Sequence, residues 1–168
     1  MSPSGPAVAS ASDHEVAYQR YGSALVRKAE RILRNREDAV DVVQTLFTEL
    51  IARREDAVDL PYLYRAVTNR ALNVVRDTRS RTRLLEREQG ALLPAARLAD
   101  STRVVGVDLL ARLCDRLDTA HREVLVARYL DEMTQDEIAS LYGVSRKTVG
   151  KRLARVDAVA AELAGGRA

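Results

Sequence analysis

The chain has 168 residues, of which 46% are hydrophobic and 30% are charged, and its formal net charge is +3. This length allows one or two small domains, and the mild charge means that any nucleic-acid binding must come from local clustering of cations. The single cysteine, Cys114, excludes an internal disulfide and a multi-cysteine metal site, and we expect it in a core. Few glycines and prolines favour an all-α fold of two small helical domains.

The sequence contains no targeting or membrane segment. No stretch approaches the roughly 18 consecutive apolar residues of a membrane helix. The N-terminus lacks a basic region followed by an apolar core, so a cytoplasmic protein is expected. Residues 1–12, MSPSGPAVASAS, are small, rich in proline and serine, and are predicted to form a disordered arm.

Three amphipathic helices are predicted in a first domain, residues 13–88. Asp13 and Asn35 stand where helix caps are needed, and Pro61 suits the first turn of the third helix because its missing N–H would be unpaired there. The apolar spacing places these helices at approximately 13–34, 35–54 and 61–88.

A linker and a second domain follow. Residues 89–106, QGALLPAARLADSTRVVG, have no clean helical period and are predicted to be a flexible linker. Four helices are predicted in residues 107–164, with one beginning after Asp118 or Thr119. Because the linker is flexible, the sequence leaves the relative orientation of the two domains undetermined.

The stretch 134–156, TQDEIASLYGVSRKTVGKRLARV, has the pattern of a helix-turn-helix with a C-terminal recognition helix. Thr134 and Glu137 form a capping box, Gly143 suits a left-handed C-cap, and Ser145 caps the second helix. That helix has one apolar and one cationic face, which predicts docking in the DNA major groove. The predicted DNA contacts are Ser145, Arg146, Lys147, Thr148, Lys151, Arg152 and Arg155.

The third predicted helix combines amides, aromatic rings and cations. Such side chains hydrogen-bond to and stack on exposed bases, as single-strand binders require. The alternative is an ordinary solvated helix face with Tyr62 or Tyr64 in the core. The candidate single-strand contacts are Tyr62, Arg65, Asn69, Arg70, Asn73, Arg76 and Arg79.

The second predicted helix has a mixed acidic and apolar face. In a basic protein this combination suits a protein partner better than DNA, although a solvated face would look the same. Phe47 and Leu50 are expected to be partly exposed on this face. The candidate partner contacts are Asp38, Asp41, Gln44, Phe47 and Leu50.

No pattern of catalytic or metal-ligating residues is present in the sequence. The only histidines are His14 and His121, and there is no HExxH, phosphate-binding glycine loop or nucleophile elbow. Asp38 and Asp41 lie one turn apart but have no companion ligand. We therefore predict no enzyme activity, no cofactor and no metal site.

Three motifs, in this order, resemble the extracytoplasmic-function (ECF) group of bacterial sigma factors in the sigma-70 family. The first is DAVDVVQTLF at 38–47, and the second is LPYLYRAVTNRALN at 60–73. The third spans 117–153 and includes REVL, DEIA, GVS and TV. The resemblance covers nearly all of residues 18–163. Departures include Val40 and Thr45 where glutamate is common, Tyr62 for tryptophan, Asn73 for aspartate, and Gly150 inside the recognition helix.

The resemblance implies a promoter-specificity subunit. The first domain would bind the β′ clamp of core RNA polymerase and engage the melted −10 element, and the second would contact the β flap and read the −35 element. The linker would thread through polymerase. The resemblance also implies a sequestering regulator, often an anti-sigma factor wedged between the domains. Two alternatives stay open: a stand-alone dimeric helix-turn-helix regulator and a protein that only occupies polymerase.

Phosphorylation of Thr45 or Thr48 is a hypothesis that follows from the reduced acidity of the second helix. A phosphate would add about −1.5 to −2 charge where the family usually has glutamate. Unphosphorylated protein should then bind core polymerase weakly, and Thr45→Ala should lose activity. Tight binding of the unphosphorylated protein, with Thr45→Ala fully active in transcription, would contradict the hypothesis.

Overall fold

The computed structural model describes residues 11–54, 59–89 and 101–165. In these ranges the chain forms seven helices and no strand, which confirms the all-α prediction. None of these helices is long and apolar enough to cross a membrane. The helices are α1 (Ala11–Leu33), α2 (Arg36–Arg53), α3 (Leu60–Gln89), α4 (Ser101–Arg116), α5 (Thr119–Tyr129), α6 (Gln135–Tyr142) and α7 (Arg146–Gly165).

Local caps set the boundaries of α2 and α3. The Asn35 side chain accepts hydrogen bonds from the backbone N–H groups of Glu37 and Asp38, at 2.9 and 3.3 Å. Arg54 ends α2 in the left-handed conformation, with φ 50°. The Asp59 carboxylate accepts from the N–H of Tyr62 at 2.8 Å, which satisfies a donor in the first turn of α3.

Two helix starts differ from the sequence prediction. α1 begins at Ala11, so Asp13 lies in its first turn, where an acidic side chain complements the helix dipole. α4 begins at Ser101, so residues 101–106, which were expected to lack a helical period, are helical. Gly106 was interpreted as a break, but a glycine inside a helix costs only about 1 kcal/mol and is tolerated. Most of the predicted arm, residues 1–10, and linker residues 90–100 lie outside the described residues.

The predicted exposure of Phe47 and Leu50 is wrong. Phe47 is 4% exposed and Leu50 is 2% exposed, because Val43, Leu46, Phe47 and Leu50 repeat at helical spacing on the face of α2 that packs against α1 and α3. The ring of Tyr18 meets the ring of Phe47 edge-on, with centroids 5.1 Å apart. The apolar face of α2 is therefore used inside the first domain.

The second half, α4 to α7, contains the predicted helix-turn-helix with its own core. The residues of this core come from α5, α6 and α7: Val124, Ala127, Ile138, Tyr142, Val149 and Leu153. Cys114 of α4 is fully buried, as expected from the sequence. Burial raises the pKa of its thiol to about 11, so it is a packing residue.

The two halves of the chain pack directly on each other. α3 contacts α4 and α5, and a single apolar cluster continues from Leu25 and Val75 of the first half to Leu110 and Val156 of the second. The relative orientation that the sequence left undetermined is therefore defined in this structure.

Truncating the buried face of α2 should destabilise the protein. We expect Phe47→Ala to lower the free energy of unfolding by about 3–5 kcal/mol, because it removes a ring from a close-packed core. Urea denaturation monitored by circular dichroism measures this. Ile51→Ala is the matched control, because Ile51 is 44% exposed on the same helix, and it should cost less than about 1 kcal/mol. Equal effects of the two substitutions would contradict the assignment of Phe47 to the core.

Candidate nucleic-acid interface

The helix-turn-helix begins with a complete capping box. The Thr134 hydroxyl oxygen accepts from the N–H of Glu137 at 3.3 Å, and the Glu137 carboxylate accepts from the N–H of Thr134 at 2.7 Å. The Thr134 hydroxyl also donates to this carboxylate at 2.7 Å, and the hydrogen bonds from the backbone N–H and the hydroxyl of Thr134 lower the pKa of Glu137. The resulting stabilisation is present at neutral pH and is lost as the pH falls through the lowered pKa.

The turn between α6 and α7 has the geometry that the sequence predicts. Gly143 adopts φ 63°, in the left-handed region, and no neighbouring atom lies within 4 Å of the position of an added Cβ. The backbone conformation, and not packing, therefore favours glycine here. The Ser145 hydroxyl oxygen accepts from the N–H of Thr148 at 3.1 Å and caps α7. Because the two hydroxyls also pair at 2.9 Å, Ser145 and Thr148 are partly engaged in this cap.

The predicted recognition helix α7 has its cations on the outside. Its inner residues Val149, Leu153 and Val156 are buried. Arg152 and Thr148 are half-buried, and Arg146 makes an exposed ion pair with Asp136 of α6 at 3.4 Å. The structure brings these candidate DNA contacts together on one surface of the second half. Five of them are exposed: Ser145, Arg146, Lys147, Lys151 and Arg155.

Gly150 is not required by close packing within the described residues. An added Cβ would meet only the side-chain oxygen of Gln135, at 3.7 Å, which is ordinary van der Waals contact. The helix therefore carries a glycine at a cost of up to about 1 kcal/mol without an internal steric reason.

Two candidate single-strand contacts on α3 bond to the helix-turn-helix half. The Arg65 guanidinium donates to the carbonyl oxygen of Tyr142 at 2.9 Å and lies 5.1 Å from the centre of its ring. It also lies 3.9 Å from the Glu123 carboxylate. The Asn69 amide donates to Glu123 at 3.4 Å. These side chains face α5 and the end of α6, so they are engaged in the present arrangement.

Further along α3, two more candidate contacts meet carboxylates of α4. The Arg79 guanidinium donates to Asp108 at 2.7 Å and to Asp115 at 2.8 Å. Arg76 lies 3.9 Å from the same Asp115. The cationic face of α3 is therefore matched by an acidic face from the second half.

The remaining candidate contacts on α3 are Arg70, Tyr62 and Asn73. Arg70 forms a two-point contact with Glu49 of α2, at 3.0 and 2.6 Å, which lowers the pKa of Glu49. Tyr62 is 42% exposed, and Asn73 is also exposed. Four of the seven predicted residues therefore contact the second half: Arg65, Asn69, Arg76 and Arg79. Arg70 bonds to α2, and Tyr62 and Asn73 are exposed.

The sequence analysis missed a buried ion pair between the two halves. The ammonium of Lys28 in α1 is fully buried and pairs with the carboxylate of Asp131, between α5 and α6. Arg31 lies 3.4 Å from the same carboxylate, and the Lys28 nitrogen lies 4.8 Å from the centre of the Tyr64 ring. Burial lowers the pKa of Lys28 even though Asp131 acts to raise it. The sequence did contain one signal of this burial: Lys28 lies on the apolar stripe of α1, one turn after Leu25.

The candidate partner surface on α2 is polar. Asp38, Asp41 and Gln44 are exposed, whereas Phe47 and Leu50 point into the core. Thr45 and Thr48 are exposed as well, and the Thr48 hydroxyl donates to the carbonyl oxygen of Gln44 at 2.9 Å. Contacts of α2 with a partner would therefore be made by carboxylates, an amide and hydroxyls.

Both halves of the chain are similar in sequence to known proteins. Residues 17–81 match the family described as sigma-70 region 2, and residues 114–156 match sigma-70, region 4. Two relatives called RNA polymerase sigma-E factor, from Streptomyces avermitilis and Streptomyces coelicolor, are each 31% identical over 137 residues. This covers 79% of the chain and 74% and 75% of the relatives. The solved structure of CnrH in complex with the cytosolic domain of CnrY is 28% identical, with a TM-score of 0.48, and the match covers 92% of this chain and 89% of that one.

The chain belongs to the sigma-70 family, as an ECF sigma factor. It directs promoter-specific transcription, and its partners are core RNA polymerase and promoter DNA. Sigma factors are not enzymes. The alternative of a stand-alone dimeric regulator is not favoured, because the chain matches region 2 as well as region 4.

Removal of the cap hydroxyl of α6 should weaken the helix-turn-helix. We expect Thr134→Ala to lower the stability of the protein by about 1 kcal/mol, because the backbone N–H of the first turn loses its acceptor. Chemical denaturation monitored by circular dichroism measures the difference. Thr119→Ala is the control, since Thr119 follows the cap residue Asp118 and is not itself the cap of α5. An equal loss in the two variants would contradict the role of Thr134.

Proposed function

We propose that the chain divides its promoter contacts between a domain at 13–88 and a domain at 107–164, joined by a segment that threads through polymerase. In the second domain, α7 enters the major groove of the −35 element. Its exposed cations support this proposal, because Lys and Arg at the start of a recognition helix can meet guanine edges and phosphates. Ser145 and Thr148 lie at the N-terminal end of the same surface, and the half-buried Arg152 extends it.

In the first domain, α3 engages the melted −10 element. Its combination of an exposed Tyr62, amides at Asn69 and Asn73, and cations supports base stacking and hydrogen bonding to an unpaired strand. Arg65, Arg70, Arg76 and Arg79 supply the charge that follows a DNA backbone. Reading of the −10 element therefore requires the face of α3 to be accessible.

The polymerase contact is assigned to the β′ clamp through α2 and to the β flap through the second domain. The exposed Asp38, Asp41 and Gln44 support the clamp contact, whereas Phe47 and Leu50 cannot contribute because they are buried. Phosphorylation at the exposed Thr45 or Thr48 would add negative charge to this surface.

Regulation by a sequestering protein and a cytoplasmic site of action belong to the same proposal. Control by an anti-sigma factor is usual in the group that the chain resembles, and core polymerase is a cytoplasmic enzyme. The direct packing between the two halves means that a regulator inserted between them would have to displace Arg65 and Arg79 from their present partners.

Promoter-specific initiation with purified core polymerase tests the function. We expect the protein and core enzyme to yield transcripts with discrete 5′ ends on fragments of the source genome, and 5′-end sequencing gives a shared upstream motif. Arg146→Ala should reduce this initiation by roughly tenfold, because one base or phosphate contact is worth about 1–3 kcal/mol.

Arg116→Ala is the matched control for that substitution. Arg116 is an exposed arginine at the end of α4, in the same domain but outside the recognition helix. It pairs with Glu162 near the C-terminal end of α7, 3.1 Å away. It should leave initiation near the level of the unchanged protein. Tight, specific DNA binding without polymerase would favour a stand-alone regulator, and polymerase binding without specific initiation would favour a protein that only occupies the enzyme.

A further inference from the structure

Gly150 lies within the cationic part of α7, the helix that is proposed to read the −35 element. Arg146 and Lys147 precede it by about one turn, Lys151 follows it directly, and all three are exposed. Apart from proline, glycine is the least favourable residue for the interior of a helix, because it loses the most backbone freedom on folding. The proposed reading surface therefore contains a residue that disfavours the helix on which it is built.

Neither backbone strain nor packing among the described residues accounts for this glycine. Gly150 is not among the residues with positive φ, whereas Gly143 in the turn has φ 63°. A Cβ added at Gly150 would contact only the side-chain oxygen of Gln135, at 3.7 Å, which is an ordinary van der Waals distance. The protein alone has room for a small side chain here, so a requirement for glycine would come from a bound partner.

The space at Gly150 lies between the start of α6 and the first half of α7, and we call it the Gly150 notch. Half-buried Gln135, the first residue of α6, forms one wall. The backbone of α7 forms the floor, since glycine has no side chain to cover it. Asp136 lies 3.4 Å from Arg146, so this arginine stands at the same edge of the helix-turn-helix.

The charges around the notch favour an anionic occupant. Arg146, Lys147 and Lys151 are exposed cations of α7. The carboxylates in the first turn of α6 are both engaged, because Asp136 pairs with Arg146 and Glu137 accepts hydrogen bonds in the capping box. Cations clustered in this way attract the phosphates of DNA.

The shape and the hydrogen-bonding groups of the notch fit a sugar–phosphate strand. The amide nitrogen of Gln135 can donate to a phosphate oxygen, as glutamine side chains commonly do at DNA backbones. Glycine allows another backbone to approach more closely than any other residue does, because no Cβ stands in the way. A helix in the major groove is flanked by such strands, so its edge meets phosphates while its face meets bases.

We propose that a phosphate of the −35 element occupies the Gly150 notch, where Gln135 donates to it and the missing side chain of Gly150 lets α7 lie deeper in the major groove. Gly150 is then a positioning residue, because it sets how closely Arg146 approaches the bases. This inference rests on the proposed function, since it requires α7 to be the helix that reads the −35 element. A substitution that improves the helix should therefore impair promoter recognition.

Gly150→Ala tests the floor of the notch, because it adds one methyl group there and favours the helix. The midpoint of thermal unfolding should rise by about 2–4 °C. Promoter-specific initiation by the reconstituted holoenzyme should fall by roughly tenfold, which is the usual effect of losing one DNA contact. Ala161→Gly is the matched control, because Ala161 is exposed on the same helix, about 16 Å further along it. It should lower the midpoint and leave initiation unchanged.

Gln135→Glu tests the wall of the notch. The two side chains have nearly the same shape, and a negative charge in the first turn of α6 complements the helix dipole, so the variant should stay folded. Its carboxylate would repel a phosphate, and initiation should fall by roughly tenfold or more. Thr119→Glu is the matched control, because Thr119 is the exposed first residue of α5, as Gln135 is the first residue of α6. It should leave initiation unchanged.

Binding measurements distinguish DNA from polymerase as the occupant of the notch. Both Gly150→Ala and Gln135→Glu should keep the affinity of the sigma factor for core polymerase and weaken the binding of the holoenzyme to promoter fragments. Loss of affinity for core polymerase would overturn the proposal, and so would full initiation by Gly150→Ala. If the unchanged protein gives no specific initiation, the proposed function itself is contradicted. If it initiates and Gly150→Ala initiates equally well, only the role of the notch is contradicted.

Discussion

The structure depends on the need to neutralise one buried charge. Lys28 lies on the apolar stripe of α1, where its ammonium has no access to water, and the carboxylate of Asp131 from the other half supplies the counter-charge. Among the described residues, the ion pairs of Lys28 and Asp131 all join one half of the chain to the other. The packing of α1–α3 on α4–α7 therefore combines this ion pair with the apolar cluster that continues from one half to the other.

The face of α3 that is proposed to read the −10 element bonds to the second half of the chain in this structure. In the packed form its arginines and Asn69 bond to Glu123, Asp108 and Asp115. In a transcribing complex the same donors would meet nucleotides. Since the internal partners are covalently attached, their local concentration is high and no second protein is needed to cover the face.

The helix caps and the turn were predictable from the sequence, whereas the contacts between the two halves were not. The caps at Asn35 and Thr134 and the turn at Gly143 depend on residues within four positions of each other, so their patterns are sufficient. The exposure of Phe47 was predicted wrongly, because the sequence of one helix does not show how wide a stripe its neighbours cover. The start of α4 was also missed, because Gly106 looked like a break. The pairing of Lys28 with Asp131 spans 103 residues, and no local pattern contains it.

In the helix-turn-helix, the residues that hold its shape are different from those on its outer surface. Its shape is held by the Thr134–Glu137 box, the Gly143 turn and the buried Val149 and Leu153, none of which is on the cationic face of α7. Lys147, Lys151 and Arg155 are exposed, so exchanging them costs little folding free energy. With α7 in the proposed −35 contact, changes at these positions would alter which promoters are chosen without destabilising the protein. A set of genes could be reassigned in evolution by a few substitutions on one helix face.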